Sequence, residues 1–158
     1  MKISWNDLTF LPSQEALTAL ESAWSWRLPK NFEPVFASTL GDIFFQDSSK
    51  AVFWLNTGTA EITRVAESRE HFLERLKGTE SDEWLLPSLI QKLIASGKTL
   101  KPDYCYTFVI PPIFEEGSYD VSNFNPVPAK EHFSLSGQLH LQIKDLSEGA
   151  KVQIKIQT

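Results

Sequence analysis

Apolar and polar positions divide the chain into short segments of different period. Over residues 14–26, Leu17, Leu20 and Trp24 fall at helical spacing with Ala16 and Ala23 beside them, which predicts an amphipathic helix. Ser13 suits the N-cap, and Pro29 ends the helix by disfavouring helical backbone at Leu28. The period then changes. IFFQ after Gly41-Asp42, AVFWLN from Ala51 to Asn56, and the stretch Ala60 to Val65 read as three strands, with Asp47-Ser48-Ser49-Lys50 and Thr57-Gly58 as turns. This spacing predicts an antiparallel meander. The first two strands are apolar at successive positions, so both faces of the sheet are expected to be covered.

Helical spacing returns after Ser68, a suitable cap for a helix over Arg69 to Leu76 carrying Phe72, Leu73 and Leu76 and closed by Gly78. A further helix is predicted over 81–96. Its stripe is Leu86, Leu89, Ile90 and Leu93, Asp82 and Glu83 favour its first turn, and Gly97 follows its end. Pro87 interrupts this pattern; it fits best as a first-turn residue with Trp84-Leu85-Leu86 as a lead-in. Tyr104 to Ile110 reads as a strand stopped by Pro111-Pro112, and residues 113–130 as a long ordered loop. Segment 131–146 fits two periods. Phe133, Leu135, Leu139, Leu141 and Ile143 suit a strand, whereas Phe133, Ser136, His140, Ile143 and Leu146 suit a helix. The pattern leans to a helix from about Ser136 to Asp145. Ala150 to Ile156 alternates as a terminal strand. Together these elements predict the α+β class: an antiparallel β-meander with packed helices in one compact domain over 1–158, with 1–35 as a helical lead-in and 36–158 as the core.

Composition supports a folded core. The chain has 158 residues, of which 42% are hydrophobic, including five Trp and eleven Phe. The net charge of −5, with no basic cluster denser than Lys98 to Lys101, argues against a phosphate-tracking surface and so against nucleic acid. The single cysteine, Cys105, allows no intramolecular disulfide and no CxxC zinc site, which suits a reducing compartment. The N-terminal stretch lacks the apolar run of a signal peptide and no apolar run is long enough to span a bilayer, so a cytoplasmic placement without membrane is expected.

Candidate chemistry is sparse. His71, His132 and His140 show no metal-ligand spacing, and GxSxG, P-loop and GxGxxG motifs are absent, so no cofactor, metal or catalytic set is expected. A pairing of His140 with Asp120 or Glu131 as a base has no local support. Cys105, set in an alternating strand, reads as a small buried apolar residue. Asp42, Asp47 and Glu61 are candidates to gather at one end of the meander, where solvated turn carboxylates are the plainer reading than a cation site. The loop after Pro111-Pro112 combines aromatic and acidic residues. Phe114, Glu115, Glu116, Tyr119 and Asp120 are therefore the candidate partner-binding residues. An equal alternative is that Phe114 and Tyr119 staple the loop to the core.

Several segments carry a family resemblance: Leu40 to Phe45 (LGDIFF), Trp54 to Gly58 (WLNTG), Glu83 to Pro87 (EWLLP), Cys105-Tyr106 with Pro111-Pro112, and Gly137 to Leu146 (GQLHLQIKDL) followed by Gly149. As a set they resemble the C-terminal domain of immunity proteins that neutralise DNase effectors of type VI secretion, a family accompanied by a GAD-like domain. The overall layout is more loosely similar to the SUKH superfamily of immunity proteins. The resemblance spans roughly residues 26–156. It implies a cytoplasmic immunity protein that binds a cognate toxin, and it supplies no catalytic residues. Two segments depart from the family pattern. Glu115-Glu116-Gly117 stands where a Gly-rich turn is usual, and Leu146-Ser147-Glu148-Gly149 where Leu-Pro-Asp-Gly is usual. Two other functions remain open beside immunity: a small ligand-binding domain or enzyme with a pocket near Tyr106 and His140, and a scaffold that forms a homodimer through the edge of its terminal strand.

Overall fold

The computed structural model describes residues 2–147 and 149–151. A five-stranded antiparallel sheet in the order β1-β2-β3-β4-β5 forms its centre. The strands are β1 (Thr9–Phe10), β2 (Glu33–Ser38), β3 (Ile43–Gln46), β4 (Val52–Leu55) and β5 (Ile62–Ala66). Four helices precede or follow them in the first part of the chain: α1 (Trp5–Leu8), α2 (Gln14–Trp24), α3 (Arg69–Leu76) and α4 (Ser81–Leu85). Then come α5 (Pro87–Ala95), a hairpin-like pair β6 (Tyr104–Phe108) and β7 (Phe124–Pro128), and the long α6 (Ala129–Ile143). The α+β class and the meander are as expected.

The meander is sandwiched, and its alternation decides which side chain goes where. Ile43 and Phe45 of β3 point to the face covered by α2 and α6, where they meet Leu20, Trp24 and Phe133. Phe44, between them, points to the opposite face and packs with Phe36, Phe72 and Trp84, under α3 and α4. Complete burial of Ile43, Phe44 and Phe45 in succession explains why the sequence is apolar without a break. A third cluster joins α5 to the β6–β7 pair through Ile90, Leu93, Tyr106 and Phe124.

Local signals place the helix ends. The Ser13 hydroxyl accepts from Ala16 N at 3.1 Å, and Ser68 accepts from His71 N at the same distance. His71 in turn accepts from Glu67 N at 3.0 Å, so it belongs to the cap. The helix expected over 81–96 is two helices. Leu86 adopts left-handed backbone (φ 46°), and Pro87 starts α5, where its missing N–H costs nothing.

Three expectations need correction. The proposed loop over 113–130 contains a 3-10 turn (Val121–Asn123) and all of β7. Pro126 and Pro128 disguised that strand. Their spacing of two puts both missing donors on one edge, so pairing of the strand with β6 is retained. Segment 131–146 is helical as far as Ile143, and α6 starts at Ala129, well before the expected Ser136. Strand β2 was hidden by Pro34. It is tolerated because β1 pairs only with Ala37 and Ser38, leaving β2 an edge at Pro34, where its pairing with β3 is also irregular. The strand expected over 150–156 lies almost wholly outside the described residues.

Candidate functional site

Two polar features stand out from the packed core, one closed and one open. The closed one is centred on Thr57, at the turn between β4 and β5. Its hydroxyl donates to Asp42 Oδ1 at 3.1 Å, and its backbone N–H donates to the same oxygen at 2.9 Å. His132 Nε2 lies 2.9 Å from Thr57 Oγ1 and 3.0 Å from the Gly41 carbonyl, while Nδ1 lies 2.9 Å from Thr107 Oγ1. These partners assign a neutral ring protonated at Nε2, with Nδ1 accepting from Thr107. His140 Nε2 donates to the Thr57 carbonyl at 2.9 Å. The network thus ties α6 to both turns at one end of the meander.

Burial sets the ionisation of this network. Desolvation raises the Asp42 carboxyl to about 6, although bonds from Thr57 and Trp54 oppose it. Desolvation lowers His132 to about 4 and pushes His140 down as well. An Asp–Thr–His chain invites a catalytic reading, but the Thr57 hydroxyl is buried beneath Gly41 and His132 and has no route to substrate. Gly41 has φ +86°, and a Cβ there would sit 2.3 Å from His132 Nε2. The cluster is a packed fastening, and among the described residues every buried side-chain nitrogen and oxygen has a partner.

The open feature is a cleft of about 700 Å³ beside this network. Its walls come from the end of β4 (Trp54, Asn56), the α4–α5 break (Trp84, Leu86, Leu89) and the segment around Phe108 and Tyr119. Asp42 reaches its floor, where Oδ2 accepts from Trp54 Nε1 at 3.0 Å. Asp82, Glu83 and Asp120 stand on its exposed margin, and Lys92 is the cation that faces them.

The structure divides the sequence-derived candidates. Tyr119 and Asp120 line the cleft. Tyr119 packs edge-on against Phe108 at 5.4 Å while staying 46% exposed, so stapling and presentation coexist in one ring. Phe114 is half-buried, and Glu115 and Glu116 are exposed on the outer loop, away from the cleft walls. That loop is well fastened. Asn123 Nδ2 donates to the carbonyls of Ile110 and Ser118, and its Oδ1 accepts from Ile110 N. A Cβ at Gly117 would meet the Pro111 carbonyl oxygen at 2.2 Å, which shows how tightly the loop doubles back. Neither Tyr106 nor His140 lines the cleft. Tyr106 donates to the Lys98 carbonyl and His140 to Thr57, so both groups that the alternative ligand-binding reading invoked are engaged in structural bonds. His140 also pairs with neither Asp120 nor Glu131. Asp42 and Asp47 lie at opposite ends of β3, so these carboxylates do not gather with Glu61 at one end of the meander. Among the described residues no three His, Cys, Asp or Glu side chains are placed to hold a metal. Cys105 is fully buried with its thiol pushed far up, as a small core residue would be.

The part of the chain that contains the cleft's second wall, the loop and most of α6 also carries a family similarity. Residues 66–140 match the family model for the T6SS immunity protein Tdi1, C-terminal. This is the family that the sequence motifs resemble; the motifs at residues 40–45 and 54–58 lie outside the matched span. No curated protein matches the chain. Among solved structures, the crystal structure of Atu4351 from Agrobacterium tumefaciens is similar with a TM-score of 0.53 at 14% identity, over 79% of this chain and 63% of that one. The chain therefore spans less than two thirds of that protein, and at this identity the likeness concerns the fold alone. No described helix is long and apolar enough to cross a membrane.

Proposed function

We propose that the protein is a cytoplasmic immunity protein that binds and neutralises a cognate toxin, a nuclease effector delivered by type VI secretion. The observation that carries this reading is the match of residues 66–140 to the Tdi1 C-terminal family. The site chemistry agrees with it. In the Asp–Thr–His constellation, which resembles catalytic machinery, Thr57 and His132 are buried and hydrogen-bonded to one another. The exposed chemistry, aromatic rings with a carboxylate margin, suits a protein interface. Inhibition by binding requires no reactive group on the inhibitor, only a well-packed surface that blocks the toxin.

Co-expression with the cognate effector's toxin domain, sought first in the neighbouring gene, tests the reading. The chain is expected to restore growth and to co-purify with the toxin. Cell death despite full expression, together with the absence of a complex, would overturn it.

A further inference from the structure

Exposed apolar side chains such as Leu11, Leu73, Leu135 and Leu141 are scattered over the surface, as on any soluble domain. Val109, Ile110, Ile113 and Tyr119 differ, because all are exposed on one loop. That loop leaves from Phe108 and returns at Tyr119, and both residues are part of the cleft wall. The loop therefore leaves and rejoins the rim of the cleft and carries its exposed apolar side chains next to it. The Asn123 bonds and the tight turn at Gly117 hold this surface in place before any partner arrives, which reduces the entropy lost on binding.

The charge of the cleft selects its occupant. Among the described lining residues, Asp42, Asp82, Glu83 and Asp120 face it against one cation, Lys92. Glu115 and Glu116 extend the negative margin along the loop. The walls supply aromatic faces that attract cations, and Arg75 already sits 5.3 Å from the Trp84 ring centroid. Resting on the toxin-neutralising reading, we infer that this cleft and its loop are the docking site for a basic segment of the toxin. A lysine or arginine of that segment enters the cleft toward Asp42 and Trp54, and apolar residues flanking it rest on Val109, Ile110 and Ile113. Such complementarity gives register and a fast encounter, while the apolar contacts supply the residence time.

Two binding measurements test this on the full chain. With the cognate toxin, the double variant Asp82→Lys/Glu83→Lys is expected to bind at least tenfold more weakly than wild type. The charge-matched Glu21→Lys/Glu131→Lys, on α2 and α6 across the sheet, is expected to bind as wild type does. If wild type binds the toxin and both variants match it, the cleft is not the docking site, although the immunity reading stands. The second probe needs no toxin: the peptide acetyl-Leu-Arg-Trp-Arg-Leu-amide and its counterpart with Glu for Arg. The cationic peptide is expected to shift the Trp54 and Trp84 indole resonances saturably, and the shifts should vanish in Asp82→Lys/Glu83→Lys. Absence of these shifts, or equal shifts with the anionic peptide, overturns the charge preference of the cleft. Peptide shifts in a chain that neither binds nor blocks the toxin would sink the immunity reading and leave the cleft as a site for basic segments.

Discussion

The two sides of the meander solve opposite problems. Toward α2 and α6, large side chains interlock, and Thr57, His132 and His140 are bound into a buried network whose one outlet is Asp42, which reaches the cleft floor. Gly137 lets these helices approach so closely that a Cβ there would lie 2.4 Å from the Ala23 carbonyl oxygen. Toward α4, α5 and the β6–β7 pair, aromatic rings reach the surface, a cleft stays open, and Leu86 holds left-handed backbone on its wall at a cost of about 1–2 kcal/mol. The first side contributes stability and offers no access. The second forgoes burial that it has the residues to make. Exposed apolar surface of this kind is characteristic of interaction sites, which is the basis of the docking proposal.

This contrast breaks most visibly on the closed side. Phe133→Ala removes a fully buried ring from the α2–α6 interface and should cost about 3–5 kcal/mol in urea unfolding. Gly41→Ala comes next. It combines positive φ with a collision against the buried His132 ring, and should cost about 3 kcal/mol. A loss below about 1 kcal/mol in either variant would mean that the closed side packs loosely.

The buried network adds a pH test. A carboxyl whose folded value is raised from 3.8 to about 6 favours the folded state when protonated, so Asp42's contribution is present at low pH and is lost as pH climbs from about 4 to 6. His132, lowered from 6.5 to about 4, works the other way: stability is lost as pH falls through that window. Shifts of this size correspond to on the order of 3 kcal/mol each. His140 is pushed down too and adds to the acid side. Asp42→Asn deletes the opposing contribution, so its stability should fall more steeply than that of wild type between pH 6.5 and 4. Identical slopes in urea titrations would show that Asp42 does not titrate there.

The smallest effect belongs to the open side. Ile113→Ala and Asp82→Lys should each change unfolding free energy by no more than about 0.5–1 kcal/mol, since neither residue is packed in the core. Large destabilisation by either would recast the loop and cleft rim as structural parts.

How much of this was legible beforehand depended on whether the determining contact was local. Ser13, Ser68 and Gly97 mark helix ends through neighbours within a few residues, and the apolar run Ile43–Phe45 announces a strand covered twice. Strands β2 and β7 were obscured because their prolines are acceptable only on a free edge, a fact of sheet order and not of sequence. Helix α6 was read as starting late because its start carries Pro128, Lys130, Glu131 and His132, yet His132 is buried against Gly41, far away in the chain. The cleft was only half visible for the same reason. Tyr119 and Asp120 belong to a loop that looks like an interface, whereas Trp54, Trp84 and the carboxylates at Asp82 and Glu83 reach it from separate elements. Asn123, which fastens the loop, was missed altogether; an amide next to a buried strand was the available sign.

Hydrogen–deuterium exchange on the complex with the cognate toxin puts the two-sided account to its most direct test. Toxin binding is expected to slow exchange in residues 82–92 and 108–121 and to leave α2 and α6 unchanged. Slowing confined to α2 and α6, with the cleft and its loop unaffected, would contradict the assignment of the open side to the partner.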